Sequence, residues 1–280
     1  MEAVEFVRDL RGGITVVVGG QPQSYVDPSD PGHLAFEYVQ HLAAVITATQ
    51  PEAPARLAVT HIGGAGLTLA RWLEHTRPGS PQVVHEPDAT LTHRVRQELP
   101  LRRGHRIRVR AKGGREGLGD LRDASADVVV VDAFVGGRVP AELTTMECLR
   151  EVARVLRPGG LLLLNTADEP GLRHTARVLA GVIGVFGRAV VPPRHITDHV
   201  ALVAMHDVLK GRRFGNAVVA ASAAPLDIEE IARQVARCAF PTAVRSGAEL
   251  ARLVAGARPL TDADGIPSPE APDPAGWRVR

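Results

Sequence analysis

Between Arg56 and Phe186, short β-branched runs alternate with stretches of helical periodicity, and this alternation limits the chain to one class of fold. Strands are expected over residues 56–62, 82–86, 106–110, 127–132 and 160–165, with helices over 66–76, 89–98, 115–121, 142–156 and 171–186. Strands separated by helices predict a parallel sheet covered on both faces, a doubly wound, Rossmann-like α/β architecture. Two later β-like runs, Val200 to Met205 and Asn216 to Ser222, have no convincing helix between them and are expected to close the sheet as an antiparallel pair. Leu156-Arg157-Pro158-Gly159-Gly160 ends one helix and launches the apolar strand Leu161 to Leu164.

The flanks read differently. Gly13 to Val18, the turn signal Gly19-Gly20 and Gln23 to Asp27 form a β-hairpin, followed by a helix from about His33 to Ala48. Helices over 228–238 and 248–255 precede a Pro-rich tail beginning at Pro267. The expected organisation is an N-terminal unit (1–50), a Rossmann-like nucleoside-binding domain (51–225), C-terminal helices packed on it (226–266) and a mobile tail (267–280).

Composition excludes several classes. The chain has 280 residues, 45% apolar and 23% charged, enough to bury a core without staples. No apolar run approaches the ~20 residues of a membrane helix, and Glu2, Glu5 and Asp9 interrupt any secretory signal. The two cysteines, Cys148 and Cys238, sit in apolar helical patterns and read as reduced packing residues, which fits a cytoplasmic protein.

One motif calls for a ligand. His61-Ile62-Gly63-Gly64-Ala65-Gly66 closes the first strand of the alternation and opens a helix, and the acidic pair Glu86 and Asp88 ends the next strand. Glycines at such a turn admit a bound molecule close to the backbone, and a carboxylate at the neighbouring strand tip can accept both hydroxyls of a ribose. A glycine-rich βα turn also serves purely structural ends; the acid adds the specificity. Since the cleft lies where the winding reverses, Asp132, which ends Val128 to Val131, should face the glycine turn. It is either a turn or capping residue, or a group that binds an ammonium or takes a proton.

Other candidates are weaker. Arg106, Arg108, Arg110 and Lys112 alternate with Ile107, Val109 and Ala111. With no aromatics interleaved, the pattern favours a charged sheet edge over a nucleic-acid surface. His195 and His199 are spaced i, i+4, but Ile196 stands where a zincin glutamate would be, so no metal is expected. His61 is open to either packing or ligand contact, and Lys112-Gly113-Gly114-Arg115 to either a plain turn or an approach to the cofactor base.

The order of motifs resembles the spermidine synthase-like (polyamine aminopropyltransferase-like) branch of the class I S-adenosylmethionine-dependent methyltransferase fold. The segments are Gln23 to Asp27, Ile62 to Gly66, Val84 to Asp88, Asp127 to Phe134, Leu156 to Gly160 and Leu260 to Asp264. The resemblance implies a seven-stranded sheet, an N-terminal β-hairpin unit that supports a homodimer, and decarboxylated S-adenosylmethionine as cofactor, with methylthioadenosine as product. Gly63, Gly64 and Gly66 would line the nucleoside, with Glu86 on the ribose and Gln23, Asp88 and Gly113 close by. Asp132 would receive a small-molecule amine.

There are departures. Val135 stands where the family has a second aspartate, the proposed base, and Gly113 where it has an acid that contacts adenine. Of the aromatic and acidic residues expected near the first helix, Phe36, Glu37 and Tyr38 are present. Three readings follow: aminopropyl transfer to an unidentified amine; methyl transfer from intact S-adenosylmethionine, giving S-adenosylhomocysteine; or a catalytically idle ligand-binding or scaffold homologue.

Overall fold

The computed structural model describes residues 3–187 and 198–272. The N-terminal unit comprises β1 (Val4–Arg8), β2 (Ile14–Val18) and β3 (Gln21–Val26), an antiparallel sheet in that order, followed by α1 (Glu37–Thr49). The alternating region contains β4 (Val59–Ile62), α2 (Thr68–Thr76), β5 (Gln82–His85), α3 (Ala89–Glu98), β6 (Ile107–Arg110), α4 (Gly114–Gly119), β7 (Ala126–Val131), α5 (Met146–Val155), β8 (Leu156–Asp168) and α6 (Arg173–Phe186). It is completed by β9 (Val200–Met205), α7 (His206–Leu209), β10 (Gly215–Ser222), α8 (Ile228–Val235), β11 (Thr242–Arg245) and α9 (Gly247–Leu253).

The large sheet runs β11-β9-β10-β8-β7-β4-β5-β6. Its five central and distal strands, β8 to β6, are parallel, while β10, β9 and β11 pair antiparallel. The apolar runs divide between the faces as a period of two requires. Val129, Val131, Leu162 and Leu164 enter one core, under α5 and α6; Val128, Val130, Leu161 and Leu163 enter the other, under α1 and α8.

Register brings the functional tips together. Ile62 pairs with His85 on one side and Val131 on the other, and Val131 pairs with Leu164. The next residue of each strand, Gly63, Glu86, Asp132 and Asn165, therefore reaches the same carboxyl edge, where the order reverses between β4 and β7.

Three expectations change. The sheet has eight strands in place of seven: β11 is a four-residue, half-buried edge strand whose short run, Thr242 to Arg245, gives little periodic signal. The N-terminal hairpin has a third strand, β1, masked in the sequence because its polar residues Glu5 and Arg8 face solvent. The tail is not free from Pro267 onward, since Ser268 is buried against Val139, with Ser268 N donating to Val139 O at 3.1 Å. Residues 273–280 lie outside the described residues, as does His195. β6 is an edge strand with Arg106 and Arg108 exposed, as a charged sheet edge requires. None of the described helices is long and apolar enough to cross a membrane.

Candidate functional site

The turn after β4 is held in an unusual backbone conformation. Gly63, Ala65 and Leu67 have φ of 92°, 35° and 62°, and Leu67 is a buried, bulky residue in the left-handed region. For the non-glycine residues Ala65 and Leu67 such conformations cost roughly 1–3 kcal/mol each and persist where the surroundings impose them. Here the neighbouring strand tips do so: a Cβ on Gly63 would lie 2.0 Å from the Asp132 carbonyl oxygen. Gly63 is thus required by the approach of the β4 turn to the backbone after β7.

Glu86 secures the same turn. Its Oε2 accepts from Gly64 N (3.1 Å) and Ala65 N (3.4 Å), and its Oε1 accepts from Asp88 N (3.0 Å). Asp88 in turn caps α3, accepting from Leu91 N at 2.9 Å. Both acids line a cavity of about 630 Å³, within the usual range for small-molecule sites. The walls include Gln23, Gly63, Gly64, Gly113 and Asp132. Gly66 does not line it. That glycine is buried beneath β3, its N donating to Ser24 Oγ at 3.0 Å, and a Cβ there would meet Ser24 Cβ at 2.8 Å. Its role is to seat the N-terminal sheet on the turn.

Asp132 projects into the cavity from the end of β7. Asn165 Nδ2 donates to its Oδ1 at 2.9 Å. Burial pushes its carboxyl up to about 6, a rise that the Asn165 hydrogen bond partly opposes. Tyr38, on α1, lines the same wall, and its phenol is held well above the usual range by burial and by the nearby Asp132 charge. The capping reading of Asp132 is therefore replaced by that of a desolvated carboxylate facing a cavity. His61 is packed and also lines the cavity, so both readings of it stand: its Nε2 meets Gln82 Oε1 at 2.9 Å, and burial lowers the ring to about 4. His199 Nδ1 lies 3.0 Å from Ser222 O, and among the described residues no group of three His, Cys, Asp or Glu could hold a metal ion.

Charge is the most selective property of the site. Five carboxylates line the cavity, those of Glu86, Asp88, Asp132, Glu142 and Glu270, and no Lys or Arg does so among the described residues. A phosphate-bearing nucleotide would meet no cation there. Sequence reasoning missed Asn165, Glu142 and Glu270. Asn165 was legible as the polar residue following Leu161 to Leu164, level with Asp132; Glu142 reaches the cavity from the 3-10 turn Ala141–Leu143 and Glu270 from the C-terminal segment, placements that no local pattern encodes.

The fold is that of the class I methyltransferases. Human methyltransferase-like protein 13, solved in complex with S-adenosylhomocysteine, matches 81% of this chain and 96% of its own with a TM-score of 0.55 and 18% identity. A fuller match is a probable spermidine synthase from Corynebacterium glutamicum ATCC 13032, with a TM-score of 0.83, 28% identity, and 97% of this chain and 96% of that chain covered. A polyamine aminopropyltransferase of Vibrio vulnificus (strain CMCP6) is 27% identical over 176 residues, 61% of this chain and 57% of the relative. The sequence match thus spans little more than half of that relative's length. No family model matches. Within the methyltransferase fold the chain is spermidine synthase-like.

Proposed function

We propose that the protein is an aminopropyltransferase-like enzyme that binds an adenosyl-sulfonium nucleoside, decarboxylated S-adenosylmethionine, and transfers its aminopropyl group to an amine. The observation that carries this reading is the cavity lined by five carboxylates and, among the described residues, by no Lys or Arg, which suits a sulfonium and an ammonium and disfavours phosphates. The likeness to a probable spermidine synthase over nearly the whole chain supports it.

The sulfonium supplies a carbon activated for displacement. Asp132 takes a proton from the acceptor ammonium, which frees the nitrogen lone pair; nitrogen then bonds to that carbon as the carbon–sulfur bond breaks, its electron pair passing to sulfur. A carboxyl held near 6 is suited to this work, because a general base acts best when its pKa lies close to the operating pH. Asn165 fixes its orientation and Tyr38 closes the wall beside it. Glu86 holds the glycine turn and offers its carboxylate to the ribose.

Methyl transfer from intact S-adenosylmethionine is the second reading, favoured by Val135, an exposed apolar residue that leaves the loop beyond Asp132 without a second acid. One experiment separates the two. The protein is incubated with each sulfonium and an amine panel, and the released nucleoside is identified by mass. Methylthioadenosine supports aminopropyl transfer; S-adenosylhomocysteine supports the second reading. Failure of either sulfonium or either product to raise the melting temperature at millimolar concentration overturns both, since a ligand at 100 times its dissociation constant adds ~2.7 kcal/mol.

A further inference from the structure

The loop carrying Asp132 does not stand alone over the cavity. It turns back at Val135, whose N donates to Arg138 O at 2.8 Å while Arg138 N donates to Val135 O at 3.2 Å. Gly136 and Gly137, with φ of 55° and 73°, supply the left-handed pair that a two-residue turn requires. The chain's C-terminal segment then clasps the far side of this turn. Val139 N donates to Ser268 Oγ at 2.9 Å, Ser268 N donates back to Val139 O at 3.1 Å, and Ser268 is only 1% exposed. Two residues further on, Glu270 Oε2 meets Arg138 Nη2 at 2.9 Å, and Glu270 lines the cavity.

Glu270 is therefore brought to the site from the opposite end of the sequence by two independent attachments. Its second oxygen, Oε1, has no partner among the described residues, while the turn tip beside it contributes only the apolar Val135, 70% exposed. A carboxylate fixed through one oxygen, with the other free at a cavity wall, is placed to receive a cation.

We propose that Glu270 is an acceptor-binding residue: it stands at the acceptor end of the cavity, and its carboxylate, oriented by Arg138, holds an ammonium group of the amine substrate. This rests on the aminopropyl-transfer reading of the same cavity. Because the side chain is 63% exposed, the contact is screened, and removing its charge should weaken amine binding by roughly two- to fivefold and no more.

The test is calorimetric titration of putrescine into the full chain saturated with methylthioadenosine, for the unmodified protein, Glu270→Gln and Arg138→Gln. Both variants break the same ion pair and keep the Ser268–Val139 pairing. The expected result is a weaker putrescine affinity for Glu270→Gln, an unchanged or tighter one for Arg138→Gln, and an unchanged methylthioadenosine affinity for both. Equal weakening in the two variants would mean that Glu270 only staples the loop, and an unaltered affinity in Glu270→Gln would mean that it does not touch the amine; either overturns the proposal. Methylthioadenosine binding without amine binding by the unmodified protein overturns it while leaving the nucleoside site standing. Absence of methylthioadenosine binding, visible before any variant is made, is the separate failure of the nucleoside reading.

Discussion

Asp132→Asn should make this protein more stable and less active, and the size of the first effect follows from the site. The carboxyl is raised from an ordinary 3.8 to about 6 by burial. The folded protein therefore holds a proton that the unfolded chain has released, and stability falls as pH rises through that interval. The contribution is fully present below about pH 3.8 and is lost by about pH 6. Two pH units at ~1.4 kcal/mol each put the cost of the ionised group at ~3 kcal/mol above pH 6. Asparagine has no charge to bury. It also has an amide that can donate to Asn165 Oδ1, which is buried without a partner, while its own oxygen keeps the bond from Asn165 Nδ2. Thermal unfolding of the two proteins between pH 4 and 8 should give equal melting temperatures at the acid end and a gap opening to roughly 5–10 °C in favour of the variant at pH 7. Transfer should fall by ~10²- to 10⁴-fold, the usual contribution of a positioned base. A pH-independent gap, or a variant less stable at pH 7 than the unmodified protein, would refute the premise that Asp132 is a desolvated carboxylate.

Glu86→Ala removes the acceptor of three backbone N–H groups as well as the proposed ribose contact, so it should abolish adenosyl-nucleoside binding by calorimetry and lower the melting temperature; unchanged affinity would remove the ribose role. Val135→Asp puts an acid on an exposed turn position with no packing to lose and should raise aminopropyl transfer to putrescine, by at most ~10²- to 10⁴-fold; robust turnover by the unmodified protein would show that Val135 does not limit the chemistry. Gly113→Asp meets open space and an uncapped N-terminus of α4, so it should tighten nucleoside binding and stabilise the fold; a loss of either would count against the adenine-side placement. A homodimer through the N-terminal sheet, where Val7 and Leu10 are exposed, should appear as a doubled mass in sedimentation at micromolar protein, and a monomeric mass would refute it.

Local signals were enough for the sheet because short β-rich runs alternate with helical stretches, and the segments Val128 to Val131 of β7 and Leu161 to Leu164 of β8 are apolar throughout, as only a doubly covered strand allows. The same runs ended at Glu86 and Asp132, so the carboxyl-edge acids were legible once the winding was known. Gly66 was misassigned because glycine spacing does not distinguish a turn opened for a ligand from one opened for Ser24. β1 was missed for a related reason: Val4-Glu5-Phe6-Val7-Arg8 buries little, and its half-buried residues pack on the small core of Leu91, Val95 and Leu99 under α3. That pairing changes the physics of the dimer expectation. A hairpin standing free would have needed a partner strand, and β1 already supplies one within the chain. Glu142 and Glu270 could not be read as site residues, because Glu142 opens an expected helix, 142–156, whose regular turns begin only at Met146, and the approach of Glu270 depends on tertiary docking of the C-terminal segment.

The arrangement of charge carries a last consequence. Lys plus Arg and Asp plus Glu are nearly balanced, 33 against 31, so composition alone gives the cavity no sign. Placement does. Cations near it are drawn outward into pairs: Lys112 with Glu116 and Asp120, Arg115 with Asp262, Arg138 with Glu270. Of the acids that line the cavity, Glu86, Asp88, Asp132 and Glu142 pair with no Lys or Arg among the described residues, while Glu270 shares Arg138. A positively charged sulfonium should therefore bind more tightly than the neutral thioether it becomes, although the two share the same adenosine contacts. Calorimetry with decarboxylated S-adenosylmethionine and methylthioadenosine should show that preference, and raising the salt should shrink it as screening grows, since the Debye length falls from about 10 Å at 0.1 M to about 3 Å at 1 M. Equal affinity for the two at low salt would mean that the acids do not act on the ligand, and the electrostatic case for a cationic substrate would fall with it.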